Sequence, residues 1–162
     1  MKRIILLSLL ALGAFFECYA QPKSSAEADT MRVFQDLAEA TGYEGKKLSV
    51  VSEYFKKRNT KIHFFSYSGT SPYIDPKGRS YLKRIQVGYL TPDELDDRVS
   101  NEHRWVLILD IVLEPPYTAN TGDLVKKYPL EDERIDAATR LAMIQDKFTI
   151  QTIKCWYIRP MK

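Results

Sequence analysis

Cysteine is scarce in this chain of 162 residues, in which only Cys18 and Cys155 occur. Residues 1–20 have the layout of a cleaved export signal, as argued below, and cleavage would remove Cys18. Cys155 would then have no partner in its own chain. We therefore expect no intramolecular disulfide, unlike the cysteine-dense scaffolds of small secreted domains. The fold has to be stabilised by a hydrophobic core and by hydrogen bonds.

Motifs that identify common enzymes and metal sites are also missing. Neither Gly-x-Ser-x-Gly nor His-Glu-x-x-His occurs, and no Cys-x-x-Cys pair is present. The two histidines, His63 and His103, are too far apart in sequence to form a close ligand pair. The sequence therefore predicts no metal site and no cofactor.

A large excess of one charge is missing as well. The chain has 24 Lys and Arg against 21 Asp and Glu, and loss of residues 1–20 would remove Lys2, Arg3 and Glu17. The remaining charge is about +2, with basic residues scattered among acidic ones, whereas a nucleic-acid binder carries a basic stripe. We expect no nucleic-acid partner.

The first twenty residues have the pattern of a secretory signal. Lys2 and Arg3 precede an apolar stretch over residues 4–16, and Ala20 precedes Gln21 at a plausible cleavage site. The apolar stretch is too short for a stable membrane span, and the layout resembles bacterial export signals. We expect cleavage after Ala20 and a periplasmic or secreted protein. Residues 21–28 would be a tail that is disordered or frays, and residues 29–162 a single domain.

Helical signals occur in four places. A capping pattern at Ser24 begins an amphipathic stretch that ends near Gly42, and a second apolar face follows it. Thr91, Pro92 and Glu94 have the spacing of a capping box, which predicts a short helix over 92–99. An acidic start and an apolar stripe predict a main helix over 131–147.

Four segments have strand character, namely 61–67, 81–89, 105–113 and 149–159. The first two are expected to form an antiparallel hairpin with an irregular arm, because Asp75-Pro76-Lys77-Gly78 is a type I turn signature. The third is apolar at almost every position, so it is expected at the centre of the sheet. The sequence predicts a two-layer α+β domain, mainly an antiparallel sheet of about four strands packed against two to three helices.

Four residues are the only candidates for catalysis. Asp110 interrupts the apolar strand, where a carboxylate must be paired, hydrogen-bonded or shifted in its pKa. Cys155 could act as a nucleophile only with His63 or His103 as its base. An exported hydrolase that uses Asp110 or Cys155 with a histidine is therefore one hypothesis.

Tyrosine favours the other hypothesis, because it provides a large contact area with a polar tip. Several tyrosines fall in or beside the predicted hairpin and the loop that follows the central strand. These candidate binding residues are Tyr67, Tyr73, Tyr81, Tyr89 and Tyr117. On this basis we expect a non-catalytic module that binds a protein or peptide, of the inhibitor or immunity type.

Overall fold

The structure is a computed structural model that describes residues 22–67 and 73–160, with the side chain of Tyr73 left out. The predicted export signal, residues 1–20, lies outside the described residues. The helices are α1 (Ser25–Glu39), α2 (Ser49–Lys57), α3 (Pro92–Asp96), α4 (Thr121–Lys127) and α5 (Ala137–Ile144), and a π-helical segment (Asp97–Asn101) follows α3. The strands are β1 (Phe64–Ser66), β2 (Tyr73–Ile74), β3 (Ser80–Tyr81), β4 (Arg84–Gly88), β5 (Val106–Leu113) and β6 (Ile150–Ile158).

Four of the strands form one antiparallel sheet in the order β1, β4, β5, β6. β5 lies inside this sheet and all eight of its residues are buried, because its apolar side chains alternate between both faces. The prediction of a central strand at this position is confirmed. The helices and the four-stranded sheet together confirm the predicted α+β class.

Helices α1 and α5 pack on one face of the sheet, and α2 packs against both of them. One row of residues on this helix-side face is Phe65, Val87, Leu109 and Cys155, one from each strand. The guanidinium of Arg140, on α5, lies 5.6 Å from the Phe65 ring. Phe34 of α1 and Phe55 of α2 pack with their rings 4.6 Å apart and are almost fully buried.

The opposite face of the sheet, called the far face below, carries a mixed set of side chains. A register row on this face consists of Ser66, Gln86, Asp110 and Lys154. The next row includes Ile108 and Trp156. This face therefore presents charged and aromatic groups at positions where the helix-side face is apolar.

The predicted hairpin is present, and the pair of β2 and β3 forms a two-stranded arm between its strands. Residues 68–72, where the irregular arm is predicted, lie outside the described residues. β2 and β3 pair with each other, and Gly78 donates its backbone N–H to the Asp75 carbonyl at 2.9 Å. The Asp75 carboxylate accepts from the backbone N–H groups of Lys77 and Arg79. Asp75 and Gly78, two of the residues that predict the turn at 75–78, therefore also form its hydrogen bonds.

Three local predictions differ from the structure. The last main helix is Ala137–Ile144, shorter than the predicted 131–147, because Asp136 caps its start by accepting from the Thr139 N–H. Helix α4 occupies a connection expected to be irregular, with Asn120 as its cap. Helix α1 begins at Ser25, inside the tail 21–28 for which fraying is predicted.

None of the helices within 22–67 and 73–160 is both long and apolar enough to cross a membrane. The same residues contain no cluster of three His, Cys, Asp or Glu side chains suited to a metal ion.

Candidate functional site

A buried ionic cluster joins α1, the end of β4 and the π-helical segment. Arg98 Nη2 lies 2.9 Å from both carboxylate oxygens of Glu27. The Tyr89 hydroxyl donates to Glu27 Oε1 at 3.2 Å, and the backbone N–H of Lys23 donates to Oε2 at 2.6 Å. The Glu27 and Arg98 side chains are only 11% and 7% exposed. We refer to Glu27, Tyr89 and Arg98 as the Glu27 cluster.

The Glu27 cluster has no group available for acid–base work. Burial raises the pKa of Glu27, but hydrogen bonds from Arg98 and Lys23 outweigh burial and leave this pKa below its ordinary value. Burial and the Glu27 charge raise the pKa of Tyr89. Glu27 accepts hydrogen bonds from three donors, and Tyr89 stays protonated. Both residues join elements of the fold, and neither is prepared to move a proton.

The π-helical segment explains why the sequence did not reveal this cluster. The predicted short helix ends at Asp96, and the chain continues as a π-helix through Asn101. Arg98 lies in that wider turn and is buried, although it is charged. Isolated π-turns often occur at functional sites. Its partner Glu27 is far away in sequence, so no local pattern marks the pair.

A polar cleft of about 530 Å³ lies beside the Glu27 cluster. Its lining includes Thr30, Asn59, Lys61, His63, Leu90 and Glu94. Glu94 is occupied in a capping box with Thr91. His63 and Tyr89 both line this cleft, whereas Cys155 and Asp110 do not.

The structure separates Cys155 from His63. Cys155 lies on β6 and Phe65 on β1, so the two are three strand spacings apart, about 14 Å. His63 lies two residues before Phe65 in the chain, just ahead of β1. His103 lies before β5 begins, whereas Cys155 is opposite Leu109, well inside that strand. Cys155 and His63 therefore do not form one site.

The thiol of Cys155 is also poorly suited to nucleophilic attack. Burial, together with the negative charge of Glu39 on α1, raises its pKa to about 11. A thiolate, which is the reactive form, is therefore rare at neutral pH.

Asp110 lies on the far face and is buried, with 2% of its surface exposed. Its Oδ2 is 3.5 Å from Arg84 Nη2, on the neighbouring strand. Within the described part of the chain, Asp110 Oδ1 and Arg84 Nε have no hydrogen-bond partner. The carboxylate thus has a counter-charge, but it points away from the face that carries Cys155.

The candidate tyrosines are spread over several parts of the fold. The Tyr67 hydroxyl donates to Glu131, and the Tyr81 hydroxyl donates to Asp75. Tyr89 is buried in the Glu27 cluster, and Tyr117 is half-buried near Lys83. Tyr73 is opposite Tyr81 in the arm. Three of the five hydroxyls are therefore bonded to carboxylates of this chain.

One edge of the sheet offers unused backbone groups. Leu113 of β5 donates its N–H to the Lys83 carbonyl on the β4 side. Because backbone groups alternate along a strand, Val106, Ile108, Asp110 and Val112 turn theirs toward β6. Their β6 partners are Ile158, Trp156, Lys154 and Thr152, which turn back toward β5.

The intervening residues of β6 therefore direct their N–H and C=O groups away from the sheet. These residues are Ile153, Cys155 and Tyr157. Only the start of the strand is covered, where Ile150 exchanges hydrogen bonds with Gly45 and Lys46. Among residues 22–67 and 73–160, no backbone hydrogen bond is found on this side beyond Ile150. We call this stretch the free edge of β6.

Two side chains project from β6 on the far face beside the free edge. Trp156 is 49% exposed and is one of two large apolar side chains in the described residues with such exposure. Lys154 is exposed next to it. A row of outward backbone groups with no backbone partner among the described residues therefore lies beside an exposed indole.

Comparisons of the chain with protein-family models, curated proteins and solved structures find no match.

Proposed function

We propose that this chain is an exported, non-catalytic module that binds a protein or peptide partner through the free edge of β6. An extended segment of the partner would add to the sheet as a fifth strand, which is a common mode of peptide recognition. The observation that carries the proposal is the row of outward N–H and C=O groups at Ile153, Cys155 and Tyr157. Inhibitors and immunity-type proteins, which act by occupying a partner's surface, belong to this class.

Main-chain hydrogen bonds would supply affinity, and side chains beside the edge would supply specificity. Lys154 and Trp156 project on the same face. A partner strand would place alternate side chains against Lys154 and Trp156. Acidic or aromatic side chains on the partner would pair well with these two residues. We therefore expect partner segments that are extended and carry acidic or aromatic residues at every second position.

The geometry favours binding over the hydrolase hypothesis. Cys155 has a raised pKa and lies about 14 Å in the strand-to-strand direction from the strand that His63 precedes. Asp110 lies on the opposite face and is paired with Arg84. The candidate catalytic groups would have to act from separate parts of the fold.

A pair of variants at Cys155 tests the proposal. Cys155→Pro removes one outward N–H and leaves the β5–β6 ladder bonds in place, since proline is tolerated where an edge N–H faces outward. Cys155→Ala removes the thiol and keeps the N–H, which makes it the matched control. A displayed library of random linear peptides is selected on the Cys155→Ala chain, and the enriched peptides are then measured on both variants.

We expect peptides of alternating pattern to bind the alanine variant and to lose at least tenfold in affinity on the proline variant. A second measurement covers the case in which Cys155→Pro does not fold: the enriched peptides are N-methylated at alternate residues and tested on the natural chain. Methylation at the positions that face β6 should abolish binding. Equal binding by the methylated and unmethylated peptides would overturn strand addition.

A further inference from the structure

We infer that a second copy of this chain occupies the free edge of β6 when no partner is bound, which forms a two-fold symmetric dimer with a continuous antiparallel sheet. The dimer rests on the proposed function, because it uses the same edge, and it would regulate the binding of a partner there. A partner segment and a second copy would compete for one set of backbone groups.

The position of the free edge selects one register. The outward residues are Ile153, Cys155 and Tyr157, so Cys155 lies at their centre. A two-fold axis beside Cys155 pairs this residue with itself in the second copy and pairs Ile153 with Tyr157. Each pair exchanges two hydrogen bonds, about six in all, and every outward group of the edge is used. Registers displaced toward the strand start meet the segment at Gly45 and Lys46 that already covers Ile150.

The side chains on the far face fit the same register. With Cys155 on the axis, Lys154 of each copy is opposite Trp156 of the other, because the strands run antiparallel. A lysine ammonium next to an indole ring is a favourable cation–π pair, and this pair would occur twice. The two Lys154 residues would lie on a diagonal, so like charges do not face each other directly. The edge is therefore complementary to itself.

Symmetry supports a second copy as the occupant. A two-fold contact requires a surface that is complementary to itself, and such dimers are the commonest oligomers. The free edge of β6 meets that condition. In this register Cys155 pairs with itself at the centre, and a pair of Lys154 and Trp156 lies on either side. Binding of a partner strand is then expected to weaken as the concentration of the chain rises.

Two substitutions of the exposed Trp156 provide a sharp test of the register. Trp156→Glu places a carboxylate opposite Lys154 of the second copy, so two ion pairs replace the cation–π pairs. Trp156→Lys removes the same ring but places lysine opposite lysine, which is destabilising across strands. Sedimentation equilibrium of the full chain measures the dimer dissociation constant for each.

We expect the natural chain and Trp156→Glu to dimerise, and Trp156→Lys to dimerise at least tenfold more weakly, with loss of the dimer in Cys155→Pro. Equal weakening by both Trp156 substitutions would overturn the register, and a dimer that persists in Cys155→Pro would overturn the interface. A natural chain that stays monomeric at every concentration would overturn the inference while leaving peptide binding to the edge testable on its own. Dimerisation without peptide binding would instead contradict the proposed function.

Discussion

Arg98 Nη2 is 2.9 Å from both carboxylate oxygens of Glu27, and this contact joins the π-helical segment to α1. The two residues are 71 positions apart in the chain. Arg98 Nε also lies 3.7 Å from Glu102, which in turn pairs with Lys23. Because the side chains of Arg98 and Glu27 are only 7% and 11% exposed, the contact is a largely buried ion pair between α1 and the π-helical segment.

Glu27→Gln is expected to destabilise the fold by about 3 kcal/mol, because it leaves the buried Arg98 without its main counter-charge. The free energy of unfolding in urea measures the loss. The matched control is the double variant Glu27→Met with Arg98→Met, which removes both charges and should cost less than the single change. A double variant that is less stable than Glu27→Gln would contradict this account.

The same pair gives a pH dependence of stability. The pKa of Glu27 is below its ordinary value of 4.5, so the charged form stabilises the folded state. This contribution is fully present above the unfolded-state pKa and is lost as the pH falls through the lower folded-state pKa. We expect the natural chain to lose stability below about pH 4.5, and Glu27→Gln to lose less over the same range. Urea unfolding at a series of acidic pH values compares the two slopes, and equal slopes would exclude Glu27 as the source.

The pair of Arg84 and Asp110 should respond asymmetrically to substitution. The Asp110 side chain is 2% exposed, whereas that of Arg84 is 27% exposed. Arg84→Met leaves a buried carboxylate alone and should cost about 3 kcal/mol. Asp110→Asn leaves an arginine that can reach water and should cost about 1 kcal/mol. Thermal or urea unfolding of both variants checks the order, and a larger loss in Asp110→Asn would contradict it.

Cys155 is expected to react slowly with thiol reagents. Burial is the main cause of its raised pKa of about 11, and the charge of Glu39 adds to it. In a Cys18→Ser background, the rate of reaction with a disulfide reagent should be low at pH 8 and should rise steeply as the pH approaches 11. Glu39→Gln should increase the rate at pH 8 modestly. Fast reaction at pH 8 in the folded Cys18→Ser chain would contradict the raised pKa of this thiol.

Local patterns explain the parts of the fold that could be predicted. The capping box of Thr91 and Glu94 forms as expected, with both of its hydrogen bonds present. The Asp75 turn and the cap at Ser24 also use residues within a few positions of each other. Such contacts are encoded by spacing, because both partners lie on one turn of the chain.

Other features depend on contacts between distant segments. The π-helical turn places Arg98 inward, where Glu27 can meet it. Neither the tyrosine pattern nor the four candidate catalytic residues predicted the free edge of β6, because an edge is defined by which strands pair.

The sequence by itself determined the α+β class and the central position of β5, since these follow from residue types and short spacings. Only the tertiary structure decided that Cys155 lies three strands away from the strand that His63 precedes, that Asp110 is paired with Arg84, and that β6 is the last strand of the sheet within the described residues. The physical reason is that strand order and buried ion pairs arise from long-range packing, in which each residue's surroundings are supplied by parts of the chain far from it.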